Sequence, residues 1–72
     1  MKITNEEHAQ QIIEEWRGFS HDSQVRNIKE ALEDQELSRM YYESKDNTRG
    51  VTRSDNIIAL LQKRLTEIDA KR

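Results

Sequence analysis

Apolar residues recur along the chain at helical spacing in three blocks, and none shows the strict alternation of a half-buried strand. In the first block Ala9, Ile12, Ile13 and Trp16 fall at i, i+3, i+4 and i+7, a stripe about 100° wide. Thr4-Asn5-Glu6-Glu7 ahead of it reads as a capping box, with Thr4 as N-cap and the Glu7 carboxylate reaching back to its amide. Gly18 stands where a left-handed residue closes a helix, and Phe19 is the apolar residue that folds back on the last turn. The spacing predicts a helix over 5–17, with Trp16 and Phe19 as core residues closing the first corner.

A second helix is expected to start at Ser20 or Asp22, both good N-caps. Val25, Ile28, Ala31 and Leu32 share one face of it, whereas Leu37, Met40 and Tyr41 lie on a face rotated by about 140°. Either the helix breaks near Asp34-Gln35-Glu36, or one long helix runs to about Lys45 and buries opposite sides along its two halves. With no Gly or Pro to mark a break, the continuous helix is favoured. Its second apolar face then needs a partner, either the last helix or another copy of the chain.

Lys45-Asp46-Asn47-Thr48-Arg49-Gly50 is rich in turn formers and reads as the one clear loop. Thr52-Arg53-Ser54-Asp55 is a second capping-box pattern, predicting a helix that runs from there to the C-terminus. Ile57, Ile58, Leu60, Leu61, Leu65 and Ile68 cover about 160° of it, wide enough to face two neighbours. Ile58, Leu61, Leu65 and Ile68 alone keep the 3-4-3 spacing of a short coiled-coil seam. The expected fold is all-α: one domain over 1–72, a small bundle of three helices (four if the middle one breaks). It contains a helical hairpin and a long amphipathic C-terminal helix.

At 72 residues and 8.6 kDa such a bundle has a thin core, and the absence of cysteine excludes disulfides, thiolate zinc sites and thiol catalysis. Self-association or a partner protein is the natural source of additional stability. The longest apolar run, Ile57-Ile58-Ala59-Leu60-Leu61, is far short of a membrane span, and no signal region follows Met1, so a cytoplasmic location is expected. The net charge of −2 hides an uneven split: residues 1–36 carry four basic and nine acidic side chains, residues 37–72 eight basic and five acidic. Attraction between the halves of one hairpin would account for that, as would an antiparallel homodimer.

Among candidate sites, Met40, Tyr41 and Tyr42 with Arg49 and Arg53 form the expected partner-binding hot spot. Adjacent tyrosines on a helix point about 100° apart, so at least one is exposed or in an interface. Arg39, Lys45, Arg49 and Arg53 form the alternative, a patch for nucleic acid, although an acidic domain lacks the dense basic stripe of such binders. The carboxylates from Glu6 to Glu36 read as solvated helix faces, or as an imitation of a phosphate backbone. His8 and His21 stand in no metal-ligand spacing, and no nucleophile elbow or phosphate-binding glycine loop is present. No catalytic residue, metal or cofactor is expected.

Trp16-Arg17-Gly18 between two helices resembles the Trp-x-Gly turn of the small helical-hairpin proteins exported by type VII secretion, and Tyr42-Glu43-Ser44-Lys45-Asp46 is similar to their Tyr-x-x-x-Asp pattern. That family has longer arms and carries its tyrosine motif near the C-terminus, whereas a whole helix follows here. The tyrosine pair ahead of a polar loop and a helix resembles the partner-contacting region of colicin-type immunity proteins, whose loop contains a proline absent here. Both resemblances imply a small helical protein that works by touching another protein. The residues themselves lead to the same expectation. The chain is read as a non-catalytic regulator or inhibitor of bacterial or phage origin that occupies a partner protein's surface. The alternatives are a nucleic-acid-binding regulator using the arginines, or a structural homodimeric adaptor or secretion-type hairpin.

Overall fold

Two interlocking rows of residues, each spaced four then three apart, pair the two long helices of this chain. The computed structural model describes residues 2–70 and contains α1 (Glu6–Trp16), α2 (His21–Ser44) and α3 (Thr48–Ala70), with no strand among the described residues. On α2 the inward row is Gln24, Ile28, Ala31, Gln35, Ser38 and Tyr42; on α3 it is Gly50, Ser54, Ile57, Leu61, Arg64 and Ile68. Both rows keep heptad spacing, which holds one face of a helix against a single neighbour along its whole length. The antiparallel register puts Tyr42 on Gly50 near the turn and Arg64 beside Gln24 near the open end.

The middle helix is continuous, as its lack of Gly and Pro implies. Its N-cap is Ser20, whose Oγ accepts from the Ser23 amide at 3.2 Å. The first helix is capped one residue later than expected. Asn5, not Thr4, accepts the His8 amide at 2.7 Å, and Thr4 instead donates its amide to His8 Nδ1. Gly18 does not take a left-handed conformation, and Phe19, expected in the core, is 49% exposed. Trp16 alone closes the first corner from inside, buried with Ile3, Ala9, Ile12 and Ile13.

The predicted six-residue loop is shorter than the sequence implied, because α3 begins at Thr48. Asn47 caps it, its Oδ1 accepting the Gly50 amide at 3.0 Å. The end of α2 closes through two overlapping bonds, Asn47 N–H to the Tyr42 carbonyl and Asp46 N–H to that of Glu43. That pair is a Schellman motif, and the left-handed position it requires is filled by Asp46 with φ 54° in place of glycine. Thr52 therefore lies inside a helix, and Ser54 is buried on the seam rather than in a cap. The seam expected from Ile58 and Leu65 is instead carried by Ile57, Leu61, Arg64 and Ile68. The last two residues, which the sequence reading included in this helix, lie outside the described residues.

α2 has 24 residues, about 36 Å at 1.5 Å per residue, close to the full 40 Å length of the molecule. α1 has only 11, about 16 Å, and covers the open end of the hairpin. It packs mainly on α3, tied at its start by Asn56 Nδ2 donating to Glu6 Oε1 at 2.7 Å. The wide apolar stripe of α3 thus serves two neighbours. Gln35, buried, donates Nε2 to the Ile3 carbonyl at 3.0 Å and fixes the extended N-terminal residues on the hairpin. The hairpin implied by a Trp-x-Gly turn is not built, since the principal hairpin is α2 with α3. No described helix is long and apolar enough to cross a membrane.

Candidate functional site at the hairpin tip and α1–α2 groove

Beyond the reach of α1 the molecule is two helices thick, and its seam there is made of Ser38, Tyr42, Gly50 and Ser54. Small residues let the backbones approach, and the Tyr42 ring fills the space over Gly50. Tyr42 is therefore half-buried and part of the fold. Its ring also lies 5.4 Å below the Arg53 guanidinium, and its hydroxyl accepts from Arg53 Nη2 at 3.2 Å.

The neighbouring side chains point the other way. Leu37, Met40 and Tyr41 are 65%, 64% and 59% exposed. They occupy the second apolar face of α2 foreseen from the periodicity, and α3 does not cover it. The Tyr41 ring meets Tyr42 edge-on at 5.7 Å, and Lys45 Nζ sits 5.8 Å from the Tyr41 centroid. Of the five side chains expected to bind a partner, Met40 and Tyr41 are thus both exposed, about 100° apart with Leu37 between them, Met40 bordering Asp55 and Ile58 of α3 and Tyr41 lying on the side of Lys2. Tyr42 and Arg53 are turned to the hairpin's own packing. Arg49 is exposed on the first turn of α3.

The arginine patch is not a free cationic surface. Arg39 Nε donates to Asp55 Oδ1 at 2.6 Å and its Nη1 to Glu43 Oε2 at 2.9 Å. The hydrogen bond and charge of Asp55, followed by the charge of Glu43, hold this guanidinium above its ordinary pKa, so it stays charged and engaged. With Arg53 against Tyr42, only Lys45 and Arg49 of the four remain without a carboxylate or hydroxyl partner among the described residues.

A groove of about 340 Å³ opens between α1 and α2. Ile3, Trp16 and Ala31 floor it, Phe19 stands at its edge, and Glu15, Glu30 and Asp34 line its rim. None of these three carboxylates lies within ion-pair distance of a basic side chain among the described residues. Among the described residues, no carboxylate of residues 1–36 forms an ion pair with a lysine or arginine of residues 37–70. The inter-helix pairs among the described residues are Arg39–Asp55 and the long His21–Asp69 contact at 3.9 Å. The signal for this groove was in the sequence as surplus acid around Trp16 and Phe19, but only the short α1 shows that it is open. No group of three His, Cys, Asp or Glu side chains able to hold a metal occurs among the described residues. No protein-family model, curated protein or solved structure matches this chain.

Proposed function

We propose that this protein is a small non-catalytic protein-binding module, a regulator or inhibitor that covers part of a partner protein's surface with its hairpin tip. The observation that carries this reading is the exposure of Leu37, Met40 and Tyr41 on one face of α2 in a chain with so few large apolar residues. Tyrosine on a rigid helix offers large contact area at small entropic cost, which suits a binding centre. The nucleic-acid alternative has less behind it, because Arg39 and Arg53 are held within the hairpin.

The test is capture from a bacterial lysate with a tagged chain, washed at low and high salt and set beside Leu37→Ser with Tyr41→Ser. Both side chains are exposed, so the variant keeps its helicity by circular dichroism. The expected result is a stoichiometric protein that survives high salt and is lost with the variant, each hot-spot side chain contributing about 2 kcal/mol. Nucleic acid released by salt from both forms would overturn the reading, as phosphate contacts weaken steeply with salt. A protein retained equally by both forms would overturn the tip as its contact.

A further inference from the structure

At about 100° per residue, Glu30 and Asp34 lie on the same side of α2 as Leu37 and Tyr41, all within about 60° of one another. The α1–α2 groove and the hairpin tip therefore follow one another along the same side of α2, the first acidic and apolar-floored, the second apolar with Lys2 at its edge. From Glu30 to Tyr41 this strip measures roughly 17 Å, the length of three turns of helix. It is bordered by α1 along the groove and by Lys2 of the N-terminal segment at the tip.

We infer that the partner element received here is a cationic amphipathic α-helix of another protein, lying along α2 as a fourth helix with its basic residues gathered at the groove end. This rests on the protein-binding reading of the tip and names the chemistry of what binds. The apolar face of such a helix meets Phe19, Trp16 and Ala31 in the groove and Leu37 and Tyr41 beyond it. Its lysines or arginines meet Glu15, Glu30 and Asp34, which lack ion-pair partners of their own among the described residues. Lys2 lines the tip end and Arg26 lies one turn before Glu30 without closing a pair, so the attraction is polarised toward the groove. A second copy fits less well, because two of the four cations at its tip, Arg39 and Arg53, are already engaged with Asp55, Glu43 and Tyr42, leaving only Lys45 and Arg49 to meet three carboxylates.

The experiment uses the full chain and two synthetic helical peptides of about 15 residues that share a leucine face and lack tryptophan. One carries lysines on its polar face and the other glutamates. Trp16, the only tryptophan and part of the groove floor, reports binding by its fluorescence. The lysine peptide is expected to saturate at one per chain, with the glutamate peptide at least tenfold weaker. Glu30→Lys with Asp34→Lys should remove that preference, and Glu30→Gln with Asp34→Asn should reduce it while keeping side-chain shape. Equal affinity for the two peptides, or a lysine-peptide affinity unmoved by the charge reversal, overturns the inference. So does a mass that doubles on concentrating the chain alone and returns to one copy in the Leu37→Ser, Tyr41→Ser variant, because a second copy then holds the strip. If the charge variants are silent while the tip variant loses its captured protein, the cationic helix is refuted and the binding module stands. If the tip variant loses nothing, the module reading itself fails.

Discussion

Replacing Gly50 by alanine sets two opposing effects against each other at the hairpin tip. Inside a helix, alanine is worth about 1 kcal/mol over glycine, so the substitution is ordinarily stabilising. Here the added Cβ would sit 2.6 and 2.7 Å from Cδ1 and Cδ2 of Tyr42, and nearer still to Cγ. Carbon atoms pack best at about 3.5–4.0 Å, which leaves a shortfall of roughly 1 Å. The atoms concerned are the inner ring atoms, joined to the α2 backbone through one carbon, so the ring moves away only by leaving its rotamer or by parting the helices. Overpacking of this kind costs about 1–3 kcal/mol, and a contact this close belongs in the upper half of that range. The expected net loss is about 1–2 kcal/mol, or roughly 5–15 °C in Tm for a domain of this size. Urea and thermal melts followed by circular dichroism at 222 nm measure it. In a Tyr42→Ala background the same substitution should become stabilising, a coupling of about 2–3 kcal/mol. Gly18→Ala is the control with opposite sign. That residue has no positive φ, and its new Cβ would meet only the Glu15 carbonyl at 3.9 Å, so a gain of about 0.4–1 kcal/mol is expected. A Gly50→Ala chain that melts at or above wild type, or whose loss is unchanged without the Tyr42 ring, would refute the reasoning.

Two further substitutions probe the turn and the N-terminal segment. Asp46→Gly removes the cost of a side chain held at φ 54°, and the urea midpoint should rise by an amount equivalent to about 0.5–1 kcal/mol. Gln35→Leu keeps the seam filled but strands the Ile3 carbonyl, which should lower unfolding free energy by about 1–3 kcal/mol. It should also speed proteolytic removal of residues 2–4 before the helices are cut; equal cleavage rates in both chains would show that Gln35 does not hold that segment.

Helix number and the unbroken α2 were legible in the sequence because they depend on local spacing and on where Gly and Pro are absent. The seam was not, because it is written partly in polar residues. Gln24, Gln35 and Ser38 face inward on α2, and Ser54 and Arg64 on α3, so apolar periodicity alone points to Ile58 and Leu65, which flank the contact. The turn is hidden for a related reason. Gly50 reads from sequence as the end of the loop, yet Asp46 supplies the left-handed residue of the turn and Gly50, inside α3, serves the close approach to Tyr42. The second face of α2 was found from periodicity alone, but which adjacent tyrosine belongs to the fold depends on a helix crossing that spacing does not encode. The α1–α2 groove depends on the length of α1 relative to the hairpin, a property of assembly rather than of any segment.

The graded seam implies graded local stability. Toward the open end the two long helices are joined by Ile28, Ala31, Ile57, Leu61 and Ile68 and overlaid by α1, so their amides open only when the whole domain unfolds. Toward the turn they meet through serine, glycine and a single ring, overlaid by no helix and only in part by residues 2–4, and that end has little buried apolar area to resist transient opening. Hydrogen exchange should therefore be fastest where the exposed side chains are. A partner seated on Leu37 and Tyr41 would tie down this loose end and slow exchange at Gly50 and Ser54, inner residues on the opposite helix. Binding at the surface of one helix would thus be felt as order in the other.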